Sequence, residues 1–361
     1  MAYGNYPDLN QIKRALVIKM RHHGDVLLTS PVFSLLKKNL PDAEIDAFVY
    51  QDTLPMLEGH PAISQFILYD RGIKKLPLWK RVWKEAQLLV RIKKGKYDLV
   101  LNLTEGDRGA IAALVSGARF RVGFDPQGKG MKGKKKIYTH IVKPCPSVRH
   151  TVERQLDVLR RIGIFPAPSE RSLFLHVPES AHRAIQELLH KEGLKEGSYF
   201  LLHPVSRWKF KCPPASFVAE LISELHRRNK RIILSSGPDQ EEKKMIEEII
   251  RHVPQVPVVN CAGKLTLKEL SALIAKSECL ICVDSVPLHI ASALKTPVVA
   301  IFGPTSEENW GPWMHRESRV VAKKTSCRPC FLDGCGGSKK SDCLFTLPVK
   351  DVLVAIDDLF L

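Results

Sequence analysis

No run of about 18 uninterrupted apolar residues occurs in this chain, and the opening segment Met1–Gln11 is polar, so neither a membrane-spanning helix nor a secretory signal is expected. The expectation is a protein that stays in the cytoplasm. Acidic residues are the scarcer charge: 38 Asp and Glu stand against 55 Lys and Arg, a formal net charge of +17. Such an excess points to an anionic partner, whether nucleic acid, a phosphorylated substrate or an acidic membrane surface. Neither half carries a Gly-x-Gly-x-x-Gly after its first apolar run, which argues against a dinucleotide-dependent oxidoreductase. No Asp-x-Asp occurs either, so the sequence offers no paired carboxylates of the kind that hold a metal on a diphosphate.

What is present is 361 residues, 44% of them hydrophobic, with short apolar runs alternating with stretches of helical composition. That length and alternation predict a soluble α/β protein of two domains. Residues 278–305, ECLICVDSVPLHIASALKTPVVAIFGPT, show the pattern best. Cys279 to Val283 and Pro297 to Phe302 read as parallel strands joined by a helix over Pro287 to Leu294. Ligands of such sheets sit beyond the carboxyl ends of the strands, where Asp284 and Ser285 fall. These two residues either cap the helix or face an anion at its N-terminus, and His289, about a turn and a half along, either packs or joins them.

In the first half, Arg14 to Met20 reads as a buried strand, followed by a Gly-containing turn and one helix with Asp25 at its entrance and Pro31 in its opening turns. Asp25 is an N-cap or a functional carboxylate on these grounds alone. Further strands are expected at Ala43 to Tyr50, Phe66 to Tyr69 and Tyr97 to Leu103. Leu78 to Ile92, with Lys80, Arg81, Lys84 and Arg91, reads as an amphipathic surface helix with a basic face. Gln127 to Lys136 carries three glycines and five lysines, a flexible cationic loop whose Lys129, Lys132 and Lys134 are candidates for holding an anionic substrate. The helix Arg149 to Ile164 is broken by Phe165-Pro166-Ala167-Pro168-Ser169, which sets the expected domains at 1–168 and 169–361.

The second half repeats the alternation, with strands at Tyr199 to His203, Arg231 to Ser236 and Val256 to Cys261 and helices from Pro213, over Glu241 to His252 and over Leu267 to Lys276. Two Rossmann-like halves facing each other across a cleft are the predicted architecture. Nine cysteines, several in apolar runs, read as reduced small hydrophobes rather than a disulfide framework. Cys327, Cys330, Cys335 and Cys343 lie close together in a Gly- and Lys-rich tail. A four-cysteine zinc site there is conceivable, but the spacing differs from the paired CxxC ribbon, and free thiols or a disulfide are preferred. With zinc bound, a basic nucleic-acid-binding protein would be the alternative class; the tail's shortage of aromatic stacking residues counts against it.

The segments RALVIKMRHHGDVLLTSPVFSLLKKNLPDAEIDAFVYQDT and LICVDSVPLHIASALKTPVVAIFGPT together resemble the lipopolysaccharide core heptosyltransferases, with heptosyltransferase III the most similar type. The resemblance spans nearly the whole chain. It implies a GT-B fold, an N-terminal acceptor domain, a C-terminal ADP-heptose domain, and inverting, metal-independent transfer to a heptose of the lipid-linked inner core. A peripheral place at the inner face of the inner membrane, on an anionic surface and without nucleic acid, goes with it. By the same resemblance Asp25 is similar to the catalytic base and Lys211, in SRWKFKCPP, to the lysine that holds the donor phosphates. Arg207 and Lys209 compete for that role. Ser206 lies nearby in the matching loop, Ser285 matches the phosphate-contacting position and His289 the motif histidine, Glu241 the ribose contact, and Asp284 the residue that holds the heptose hydroxyls. Val286 departs from the glycine of many relatives. The residue types suit the chemistry, because an inverting sugar transfer needs a base for the acceptor and cationic groups for a departing diphosphate.

Overall fold

The computed structural model describes residues 6–361, so the beginning of the polar Met1–Gln11 segment lies outside the described residues. The chain divides into two compact units, the first running to His176 and the second spanning Val177–Leu361. The division falls beyond the proline-rich break because the segment after it stays bonded to the first unit. The Phe174 amide donates to Ser30 Oγ at 2.9 Å, and the His60 and Phe174 rings meet edge-on at 4.7 Å.

In the first unit, β1 (Arg14–Lys19), β2 (Glu44–Tyr50), β3 (Gln65–Tyr69), β4 (Leu99–Asn102), β5 (Phe120–Phe124) and β6 (His140–Val142) form one parallel sheet ordered β3-β2-β1-β4-β5-β6. In the second, β7 (Tyr199–His203), β8 (Arg231–Leu234), β9 (Val258–Asn260), β10 (Cys279–Val283), β11 (Val298–Phe302) and β12 (Ser318–Ala322) do the same in the order β12-β11-β10-β7-β8-β9. Both are the doubly wound order. Each sheet reverses direction between its first and fourth strands, which is where ligands of such folds bind.

The central strands are apolar on both faces because helices cover both. Ala15 to Ile18 and Leu99 to Leu101 are fully buried, as are Cys279, Leu280, Cys282 and Val283. The single helix expected after β1 is two, His23–Leu27 and Ser30–Asn39, with Pro31 in the first turn of the second. There its missing N–H costs nothing. Gly24 lies inside the first of these helices rather than in a turn. The basic loop holds a short helix, Lys134–Ile137, and a turn at Gly130 with φ +84°, where a Cβ would collide with the Asp107 carboxylate. Only glycine fits there.

Candidate active site

The strand order of the second unit sets β7 beside β10, with His203 paired to Cys282. The loops leaving these two strands therefore meet at the switch point. From the first loop, the 3-10 turn Lys209–Lys211 presents Lys211, whose Nζ donates to Asp284 Oδ2 at 2.6 Å. Thr305, in the loop after β11, donates its hydroxyl to the same Oδ2 at 2.7 Å. Asp284 is 4% exposed and the Lys211 side chain 17%. A buried carboxylate is held charged only by such partners, and loss of either would leave an uncompensated group.

Neither Asp284 nor Ser285 caps the following helix. Ser285 occupies the N-cap position of Val286–Leu294, but its hydroxyl donates back to the Val283 carbonyl at 3.2 Å, and no side chain caps that helix. The helix N-terminus, with its partial positive charge, follows directly on Asp284, the partner of Lys211. Val286 sits within the helix, where a glycine's conformational freedom is not needed. His289 is buried in the same helix.

The three competing cations separate. Lys209 pairs with Glu241 at 2.8 Å, Arg207 lies over the Trp208 ring at 5.9 Å, and only Lys211 turns to Asp284. Glu241 is exposed; the hydrogen bonds from Lys209 and then Lys244 hold its carboxyl down at about 2. The next residue, Glu242, is turned inward and accepts the Gly237 N–H at 2.8 Å. Ser206 is buried, its N–H donating to Cys212 Sγ at 3.2 Å and its Oγ accepting from the Trp208 amide at 3.3 Å. Burial pushes the Cys212 thiol up to about 12, so it stays a neutral acceptor and fastens the loop.

Sequence reasoning missed what braces this cluster. Arg328 Nε donates to the Gly303 carbonyl at 2.5 Å, and another nitrogen pairs with Glu307 at 3.0 Å. The Cys330 and Phe331 amides both donate to the Pro304 carbonyl, and Ser341 Oγ donates to the Phe210 carbonyl at 2.7 Å. The cysteine-rich tail thus holds the loops carrying Thr305 and Lys211. Its cysteines are free, with Cys327 and Cys335 exposed, Cys330 partly so and Cys343 buried. Among the described residues no group of three or more His, Cys, Asp or Glu side chains is placed to share a metal ion. Thr305 closes the stretch that the sequence singled out and was the one readable signal.

In the first unit, Asp25 lies within the first turn of His23–Leu27, whose N-cap is His22, so the N-cap reading of Asp25 does not hold. It is half-buried and interacts with the charge of Lys19. Lys19, at the carboxyl end of β1, is buried and donates to the Leu103 carbonyl at 3.3 Å. Burial pushes its ammonium down to about 8, and the Asp25 carboxylate opposes that shift. A lysine inside an apolar strand was the signal that would have found it. Lys129 and Lys132 are exposed, but Lys134 is only 5% exposed, donating to the Glu105 carbonyl and pairing with Asp107 at 3.1 Å. Lys134 therefore fastens the loop and does not present its charge to solvent. No described helix is long and apolar enough to cross a membrane.

A sequence profile of glycosyltransferase family 9 (heptosyltransferase) matches residues 86–340. Lipopolysaccharide heptosyltransferase 3 of Escherichia coli is 34% identical over 340 residues, covering 94% of this chain and 97% of the relative. Among solved structures, a family 9 glycosyltransferase from Veillonella parvula superposes with a TM-score of 0.81 at 22% identity, covering 99% of both chains. The ADP-heptose lps heptosyltransferase II of E. coli superposes at 0.75 with 20% identity, covering 96% of this chain and 98% of the other.

Proposed function

The chain belongs to glycosyltransferase family 9, the heptosyltransferases, and has the GT-B fold; on that premise we propose that it transfers heptose from ADP-L-glycero-D-manno-heptose to a heptose of the lipopolysaccharide inner core, with inversion. The observation that carries this reading is the meeting of Lys211, Asp284 and Thr305 at a sheet switch point beside an uncapped helix N-terminus.

In this reading the second unit is the donor domain. Asp284 accepts from the heptose hydroxyls, Lys211 faces the diphosphate with Ser206 in the same loop, Ser285 lies on the phosphate side with the motif histidine His289 in the helix that follows, and Glu241 takes the ribose. The first unit is the acceptor domain. Asp25 accepts the proton of the attacking hydroxyl as the new bond forms to the anomeric carbon and the bond to the β-phosphate oxygen breaks. ADP departs with increased negative charge, which Lys211 and the dipole of the Val286–Leu294 helix stabilise without a metal. The lack of any Asp-x-Asp supports that metal-independent route. Lys129 and Lys132 attract the anionic core, and the enzyme works at the cytoplasmic face of the membrane that holds the lipid-linked acceptor.

Purified protein given ADP-heptose and a panel of truncated core acceptors should release ADP only with acceptors that already carry inner-core heptose. Absence of transfer to every member of the panel would overturn the reading.

A further inference from the structure

The helix Leu78–Lys94 meets the rest of the first unit with one narrow face. Glu85, Leu88 and Ile92, at spacings of three and four, point inward, and Ile92 is the one buried residue of the helix. Glu85, its sole acid, is bonded to the Tyr69 hydroxyl at 2.8 Å and to Arg108 at 2.7 Å. The outer surface is therefore without negative charge from the helix itself.

That outer surface has two stripes. Trp79, Val82, Trp83, Ala86 and Val90 share one face by their spacing, and Trp79, Val82, Trp83 and Val90 are 68%, 59%, 58% and 51% exposed, with Leu78 at 74% beside them. Lys80, Lys84 and Arg91 run alongside, one residue further round, and Lys80 Nζ stands 5.1 Å from the centre of the Trp79 ring. The apolar stripe is about 16 Å long at 1.5 Å per residue. Ile111 and Leu114 of the neighbouring helix Asp107–Ser116 are exposed as well, and Lys74 and Lys75 precede the helix.

Leaving two tryptophans in water on one helix face is unfavourable unless something covers them. We propose that this face is a docking surface for an anionic lipid bilayer. The charge pattern selects that occupant. Tryptophan rings settle at the level of lipid headgroups, and a flanking row of lysines and arginines, with long apolar stems, reaches the phosphates beside them. The inference rests on the reading of the acceptor as lipid-linked and adds which surface brings the enzyme to it.

The test uses the full-length protein and vesicles of phosphatidylcholine, either alone or with about one-third phosphatidylglycerol. Co-sedimentation should occur with the anionic vesicles, weaken as salt rises, and be accompanied by a blue shift of tryptophan fluorescence. Trp79→Ser with Trp83→Ser should lower partitioning by about tenfold or more. Lys80→Gln with Lys84→Gln should lower it by about 30-fold and flatten the salt dependence. Both double variants should transfer heptose to a delipidated acceptor at the wild-type rate. Vesicle binding that is absent, or unchanged in the variants, would overturn the proposal, as would self-association without lipid that the tryptophan variants abolish. If vesicles bind as expected but no acceptor is ever glycosylated, the docking surface stands and the functional reading fails.

Discussion

The second unit bonds its central side chains to one another at the carboxyl ends of its strands: Lys211 and Thr305 both hold Asp284, and Arg328 and Ser341 brace the loops they come from. The corresponding ends in the first unit are arranged otherwise, although the strand order is the same. There Asp25 is half-buried on a five-residue helix beside Lys19, with charges of both signs, Arg21, Glu105 and Arg154, acting on that lysine. On the proposed assignment of donor to the second unit and acceptor to the first, the difference matches what each would bind. A nucleotide sugar is the same molecule in every turnover and is best met by a fixed constellation. A large anionic acceptor is gathered by field and surface, with a single carboxylate positioned for proton removal.

The largest way to break this comparison is at Asp25. Asp25→Asn should lower turnover by about 10²- to 10⁴-fold with ADP affinity nearly unchanged, as measured by steady-state transfer and by titration. Near-normal turnover would remove the chemistry from the first unit.

A second test asks where the units are alike. Each has a buried histidine held neutral: burial pushes His60 in the first and His203 in the second down to about 4. Above about pH 6.5 folded and unfolded forms are both neutral there. As pH falls from 6.5 towards 4 the unfolded chain takes up protons that the folded chain does not, so stability is lost, by up to roughly 3 kcal/mol for each. Denaturant titrations at several pH values in this window should show the loss, and His60→Gln and His203→Gln should each make it shallower. Equal slopes in all three proteins would contradict the assignment. A smaller change in one variant would show which unit governs acid unfolding.

The parts legible from sequence are those whose signal is local. β1, β7, β10 and β11 stand out because burial on both faces makes them continuous apolar runs, and Asp284 stands out because it ends one of them. β5, β6 and β12 were not located: they are short or only partly covered, and residues such as Arg121 and His140 interrupt their apolar pattern. Lys134 looks like any other lysine of its loop until Asp107, from another element, is placed beside it. The same holds for Arg328, which acts on Gly303, 25 residues away in the chain. The choice of Lys211 over Lys209 is a preference from sequence, and what the sequence could not show is that the two lysines have separate partners, Asp284 and Glu241.

The central claim is that the nucleotide belongs to the second unit through Lys211. Calorimetric titration of ADP into the full-length wild type, Lys211→Gln and Asp25→Asn tests it most directly, since glutamine keeps a donor for Asp284 while removing the charge. The account predicts that Lys211→Gln weakens ADP by about 1.5 to 3 kcal/mol, the worth of a charge-assisted hydrogen bond, and that Asp25→Asn binds it as the wild type does. Normal ADP binding by Lys211→Gln, or loss of binding in Asp25→Asn, would contradict it.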